Sequence, residues 1–334
     1  MSDPVVSILI PAYNSQDWIA ETIESAIRQS WPRKEIIVVV DGSTDSTLQV
    51  ARRFAAKNVL VISQANQGAA AARNAAFSIC QGDYIQWLDA DDLLHPEKIG
   101  RQMHHVREGM GSRTLLSGAW AYFHYRTKRA RFVATPLWST LTPREWLLRK
   151  MGMNLHMQTD NWLVSRELTQ AAGPWDVNLW RDNDGEYFCR VLLASDGVHF
   201  VPEARSYYRL AGYKSISHIG GSSKKLESLH RSMTLHIRYL LSLENSESSR
   251  AACLFYIRTW LHEFYPYRPD LAEDLRRLTL ELGGVFEEPK LSWKYQWMVK
   301  ALGWRPARRV QRSLPMLRGS VAIQWDKLLY RLSR

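Results

Sequence analysis

Cysteine is scarce: Cys80, Cys189 and Cys253 are the only three in 334 residues, far apart and without a Cys-X-X-Cys pair. That argues against a disulfide framework and a thiolate metal site, and fits a reducing cytoplasm. No run of 18 apolar residues occurs, and the opening MSDPVVSILIPAYN lacks a basic stretch followed by a long apolar one. Neither a spanning helix nor a signal peptide is expected, so the chain should be cytoplasmic, soluble or peripheral at the inner face of the membrane. A glycine-rich, basic phosphate loop is also missing after the first apolar run, where PAYNSQDW (11–18) has no glycine and no lysine. Nucleotidyltransferases that cradle phosphate in such a loop are therefore disfavoured. Disorder is disfavoured too, since 46% of residues are hydrophobic and 23% charged, close to globular averages. Acids are the minority charge, 33 against 44 lysines and arginines for a net +11, which favours anionic partners.

What is present in the first 92 residues is an alternation. VVSILI (5–10), EIIVVV (35–40), NVLVIS (58–63) and DYIQWL (83–88) are short runs rich in β-branched and aromatic residues. Segments with apolar residues at three-to-four spacing lie between them. Continuous apolar strands alternating with amphipathic helices predict a parallel sheet covered on both faces, with ligands outside the carboxyl ends of the strands. Residues 114–133 read as a long strand or hairpin, 142–151 as a short helix, and NWLVS and GVHFVPEARSYYRL as strands around a helix starting near Asp184. After residue 222 only helices are expected, over 223–243, 249–264 and 270–282. Two domains follow, 1–221 and a helical region 222–334.

The polar residues after each strand carry the chemistry. Strand one ends in PAYN, where Tyr13 at the lip can stack on a nucleobase and Asn14 or Ser15 would cap the next helix. Strand two ends in DGSTDST, where Asp41 can accept hydrogen bonds from a base or ribose; each segment alone could equally be a capped turn. After strand three, QANQGAAAARNAA offers Gly68 for close backbone approach and Arg73 for anionic groups, or simply a tightly packed helix. Strand four ends in QWLDADDLL. Asp89, Asp91 and Asp92 repel one another, and like charges in close quarters disfavour ionisation. A helix cap would explain one of them; all three need a cation. Mg²⁺ or Mn²⁺ takes one or two carboxylates plus substrate phosphates, and Asp-X-Asp puts Asp89 and Asp91 on one side of extended backbone.

In their order, SILIPAYN, VVVDGSTDST, NQGAAAARN, YIQWLDADD and DGEYFCR resemble the family 2 glycosyltransferases of GT-A fold, over about residues 5–215. The resemblance implies a Rossmann-like, mostly parallel α/β sheet flanked by helices, followed by the helical C-terminal region. It also implies an inverting transfer from a nucleoside-diphosphate sugar, UDP by family habit, to a glycan or lipid-linked acceptor in cell-surface polysaccharide synthesis. The donor would meet Pro11, Tyr13, Asn14, Asp41, Gln67, Arg73, Asp89 and Ala90. Asp91 would ligate the metal, joined by His218 if the loop LAGYKSISHIGGSS (210–223) closes as a lid and not merely as a linker. The family's base aligns with Asp184 in WRDNDGEYFCR, and the helix dipole would keep it ionised. Asp92, Asp182, Asn183, Glu186 and Trp180 are acceptor-side or secondary residues, with Asp182 and Glu186 competing as base. The chain departs from the family where Val40 precedes Asp41, since many members have two acids there, and at Asn183, where glutamate is common.

From residue 290 the chain mixes Trp293, Trp297, Trp304 and Trp325 with many cations and almost no acids. That composition suits an anionic membrane surface, though core packing or an oligomer contact would also use it. A nucleic-acid-binding protein would account for the charge but not for the ordered acids at strand ends. A nucleotide-binding scaffold without catalysis is the remaining alternative, which Asn183 permits.

Overall fold

The computed structural model describes residues 3–210, 222–265 and 267–332. His218 and most of the 210–223 loop lie outside them. The chain opens as β1 (Val6–Ala12), α1 (Ile19–Ile27), β2 (Lys34–Asp41), α2 (Thr47–Arg52), β3 (Val59–Gln64), α3 (Ala69–Ile79) and β4 (Tyr84–Trp87). It continues with β5 (Leu93–Leu94), α4 (Lys98–Arg107), β6 (Thr114–Phe123), β7 (Arg131–Phe132), α5 (Pro143–Gly152), β8 (Val164–Ser165), α6 (Arg166–Ala172), α7 (Asn183–Ala194) and β9 (Gly197–Arg209). Helices α8 (Ser223–Leu243), α9 (Glu247–Phe264), α10 (Pro269–Glu281), α11 (Trp293–Leu302) and α12 (Trp304–Leu332) complete it.

The main sheet has the order β3-β2-β1-β4-β8. Its first four strands are parallel, as the alternation predicts, but β8 pairs antiparallel with Tyr84 and Ile85 at the edge. Alternate side chains of β1 and β2 enter two apolar clusters. Val6, Ile8, Ile10, Ile36, Val38 and Val40 meet Ile19 and Ile23 of α1 and Ile99 and Met103 of α4. Leu9, Ile37 and Val39 face the other way, toward Trp87, Trp162, Tyr187 and helices α5, α7, α8, α9 and α10. Ile8, Leu9 and Ile10 are fully buried, each contributing about 1.5–3 kcal/mol. The C-terminal helices α8–α10 thus share one core with the sheet, through Leu229, Met233, Ile237, Cys253 and Leu275.

Pro11 sits inside β1 without breaking the sheet. Leu9 bonds toward β4, its carbonyl accepting from Leu88 N–H at 3.0 Å. Two residues on, Pro11 points past the end of β4, where no ladder partner needs its missing N–H.

A second sheet has the order β5-β9-β6-β7. β6 and β9 run parallel, and their register shifts between Gly118 and Ala119, which pair with Val201 and Arg205. The extra residues 202–204 form a bulge that only glycine accommodates, since a Cβ on Gly118 would lie 1.9 Å from the Ala204 carbonyl. No described helix is long and apolar enough to cross a membrane.

Candidate active site

The first two strand-end loops are tied together by polar side chains. Asn14, in a left-handed conformation at φ 47°, accepts from Thr44 N–H at 2.8 Å, and its own N–H donates to Ser43 Oγ at 3.0 Å. Ser15 N–H reaches Thr47 Oγ1 at 2.7 Å, and Asp45 accepts from both groups of Thr47 and from Gln16 N–H. This corrects the expected cap: α1 begins at Ile19 after Trp18, with no side-chain cap, because Asn14 is drawn toward the second loop. Tyr13 stands at the lip, 48% exposed.

Asp41 is more enclosed than a base-binding acid needs to be. It is 2% exposed, and accepts from Gln64 Nε2, Gln67 N–H and Gly68 N–H at 2.8, 2.9 and 2.7 Å. It therefore shapes the 64–68 loop and keeps about one of roughly four lone-pair directions for a ligand. Gly42, at φ +66°, lets Asn66 approach; a Cβ there would lie 2.6 Å from Asn66 N. Gln67 and Gly68 present their backbone to Asp41. Pro11 and Ala90, expected at the donor, are buried, and Thr22 Oγ1 already occupies the Ala90 carbonyl at 3.0 Å.

The acid turn has a different character. Arg73 is 4% exposed and donates to Asp89 Oδ1 at 2.5 Å, while its Nε and Nη1 have no partner among the described residues. Its guanidinium lies 4.3 Å over Trp175, whose ring stacks on Tyr187 at 3.9 Å. Asn74 braces the Trp175 backbone in both directions at 2.9 Å. Burial and the Asp89 charge push Asp91 up to about 6, against the opposing pull of Arg209. Asp92 is 1% exposed, accepts from Arg209 N–H at 2.7 Å, and leaves Oδ2 without a partner among the described residues. Burial and the charges of Asp160, Asp91 and Asp89 raise it well above the usual range.

Sequence reasoning missed Arg209 and Asp160. Arg209 ends β9 and is fully buried, with its guanidinium between the rings of Trp18 and Phe123 at 4.2 and 4.4 Å. Its Nε donates to the Asp91 carbonyl at 2.7 Å and its Nη2 to Glu21 at 2.7 Å. Asp160 is fully buried behind the turn, where burial drives its carboxyl up to about 7 despite Lys98 nearby. The only sequence signal was a lone charge in otherwise uncharged stretches, SYYRL and MQTDNWLV.

Among the described residues no three His, Cys, Asp or Glu side chains are grouped to hold a metal. That suits an ion taking one or two carboxylates and completing its shell with phosphate and water. Asp91, with Asp89 beside it, fits such an ion chemically: a cation would relieve the repulsion that now raises Asp91.

Asp182 caps α7 in a left-handed conformation, φ 56°, and accepts from Ser232 at 2.8 Å. Asp184 and Asp182 line a small pocket, about 40 Å³, with Trp146, Lys150, His156, Met157, Trp162, Gly185 and Phe188. The expected dipole effect on Asp184 is overridden. Burial, then Asp182, push its carboxyl above the usual range; Arg73 opposes and Asp89 adds to the rise. Tyr208 is likewise raised, by burial and by Asp92, Asp89, Asp91 and Asp184, so the charges of the turn and of the α7 acid act on one phenol. Glu186, a competing base by sequence, is engaged elsewhere: Arg190 grips it at 2.7 and 2.9 Å and Tyr239 donates at 2.8 Å. Asn183 is half-buried at the helix start, and Trp180 is 42% exposed with Lys224 3.7 Å over its ring.

Residues 7–168 match the model of glycosyl transferase family 2. The chain carries a family 2 glycosyltransferase domain. An uncharacterized glycosyltransferase of Haemophilus influenzae is 31% identical over 138 residues, 40% of this chain and 54% of that protein. The UDP-Glc:alpha-D-GlcNAc-diphosphoundecaprenol beta-1,3-glucosyltransferase WfaP of Escherichia coli is 42% identical over 101 residues, 30% of this chain and 40% of WfaP. The chain thus spans about half or less of these relatives. The crystal structure of TarS 1-349 of S. aureus in complex with UDP superposes with TM-score 0.60 at 18% identity, covering 99% of this chain and 92% of that one. The GT-A fold of this family 2 domain, with its helical C-terminal region, is therefore as the sequence motifs implied.

Proposed function

We propose that the protein is an inverting glycosyltransferase. It moves a sugar from a nucleoside-diphosphate sugar, UDP in the first instance, to a hydroxyl of a glycan or lipid-linked acceptor in cell-surface polysaccharide synthesis. The observation that carries this is the crowding of Arg73–Asp89, Asp91 and Asp184, whose charges act on one another and on Tyr208, with Arg73 Nε and Nη1 and Asp92 Oδ2 unpartnered among the described residues. A TarS structure holding UDP-GlcNAc and the UDP-Glc named for WfaP support the choice of nucleotide.

Tyr13 and the remaining face of Asp41 receive the base, and Asp89 and Arg73 hold the donor. A divalent cation on Asp91, Mg²⁺ or Mn²⁺, supplies charge neutralisation of the leaving diphosphate. Arg73 adds a fixed positive group there. Asp184 takes the acceptor proton as that oxygen attacks the anomeric carbon; its raised proton affinity makes it a stronger base than a solvated carboxylate. The C–O bond to the diphosphate breaks as the new one forms, and attack from the opposite face inverts the centre. Residues 1–221 form the transferase domain, and 222–334 the helical region, whose basic end meets an anionic cytoplasmic membrane surface.

A panel of nucleotide-sugars with Mn²⁺ or Mg²⁺, scored by donor hydrolysis and transfer, tests this. At least one UDP-sugar should turn over only with metal; no metal-dependent binding or turnover of any donor would sink the reading.

A further inference from the structure

Residues 290–334 hold 11 of the 44 lysines and arginines and one of the 33 acids, so this stretch carries +10 of the net +11. Its single acid, Asp326, is turned inward and 4% exposed, accepting from Arg126 Nε at 2.8 Å and Tyr125 N–H at 3.1 Å. One turn on, Tyr330 donates to Glu21, whose other oxygen accepts from Arg209 at 2.7 Å. Arg209 in turn holds the Asp91 carbonyl and the Asp92 carboxylate, each at 2.7 Å. The rings of Trp18, Tyr125 and Tyr330 pack at 5.6–6.3 Å around this chain of contacts. The opposite stripe of α12, Trp325, Leu328 and Leu332 at helical spacing, is 55%, 47% and 76% exposed, and Trp293 and Trp297 of α11 are 77% and 64% exposed.

We propose that α12 couples an anionic lipid bilayer, bound on its outer face, to the Asp89–Asp92 turn, held on its inner face through Tyr330, Glu21 and Arg209. Exposed indoles and leucines among cations fit the boundary between headgroup and acyl chain. A ligand shifts an equilibrium only if it distinguishes the two states. The bilayer does: docked, α12 hides Asp326; released, it would bring that carboxylate to a negative surface. Lipid binding therefore favours the docked helix and a fixed turn. By reciprocity, nucleotide bound at the turn strengthens lipid binding by the same factor. The coupling to nucleotide rests on the donor role proposed above; the lipid surface and the latch do not.

The test uses the full chain. Flotation without nucleotide should occur with phosphatidylglycerol-containing vesicles and not with pure phosphatidylcholine; indifference to the anionic lipid overturns the outer face. Calorimetric UDP binding with Mn²⁺ should tighten several-fold on adding the anionic vesicles. Tyr330→Phe, which keeps the ring and loses the hydrogen bond to Glu21, should still float but lose that gain. Equal UDP affinity with and without vesicles in the wild type, or a gain kept in Tyr330→Phe, overturns the coupling. If UDP binds under no condition, the transferase reading fails, and hydrogen exchange over residues 89–94 still decides the latch. Faster exchange in Tyr330→Phe supports it and identical exchange overturns it.

Discussion

The two halves of the site are built on opposite principles. Around Asn14, Asp41 and Asp45 nearly every polar group has a partner within the chain. Around Asp89, Asp91, Asp92 and Asp184, charges of one sign crowd together while Arg73 Nε and Nη1 and Asp92 Oδ2 bond to nothing among the described residues. Buried polar groups are normally satisfied, and each exception calls for an explanation. The first half is scaffold, holding two loops at a fixed spacing. The second, on the function proposed above, is completed by what it binds. Removing a side chain should therefore cost stability in one half and activity in the other.

The largest effect is expected at Asp184. Asp184→Asn should lower transfer about 10²–10⁴-fold with donor binding kept, read by steady-state kinetics beside UDP calorimetry; full transfer would remove the base assignment. Its pH profile sharpens the point. The base works only when deprotonated, and its proton affinity is raised by burial and Asp182. The acidic limb of kcat/KM should thus lie above the ordinary carboxylate value of 3.8, and Asp182→Asn should move it down.

Asp91→Ala should reduce metal-dependent turnover about 10²–10³-fold while leaving the thermal midpoint unchanged or higher, because it removes one of several repelling acids. A fall in both would blur the division between the halves. On the scaffold side, Gly42→Ala should destabilise the fold by about 1–3 kcal/mol through its left-handed backbone and the approach to Asn66, measured by urea unfolding. Asp45→Ala should cost about 1 kcal/mol in lost hydrogen bonds. Burial raises Asp45, but the hydroxyl and N–H of Thr47 outweigh it and hold the carboxyl below the usual range. Its stabilising effect is accordingly present above 3.8 and lost as pH falls through its lowered value. The deficit of Asp45→Ala should shrink in acid.

The strands, the helices after residue 222 and the order of acids at the sheet edge were legible, because each is written in local periodicity or in neighbouring residues. What could not be read joins distant segments. Arg209 meets Asp92 across 117 positions, and Asp160 becomes remarkable only once the fold buries it beside Lys98. The two-residue β8 has too little pattern to reveal its antiparallel pairing. The cap expected at Asn14 failed for the same reason, since its side chain answers to Thr44, 30 positions away.

The bulge opposite Gly118 has a genetic consequence. Val201 and Arg205, four apart on β9, pair with neighbours on β6, so residues 202–204 reverse the parity of the strand beyond them. Beyond them Arg209 pairs with Phe123, and its side chain meets the Asp91 carbonyl in that register. Insertions and deletions here should follow a parity rule: loss of all three codons keeps Arg209 on its side, whereas loss of one asks the strand to choose between its pairing and its arginine.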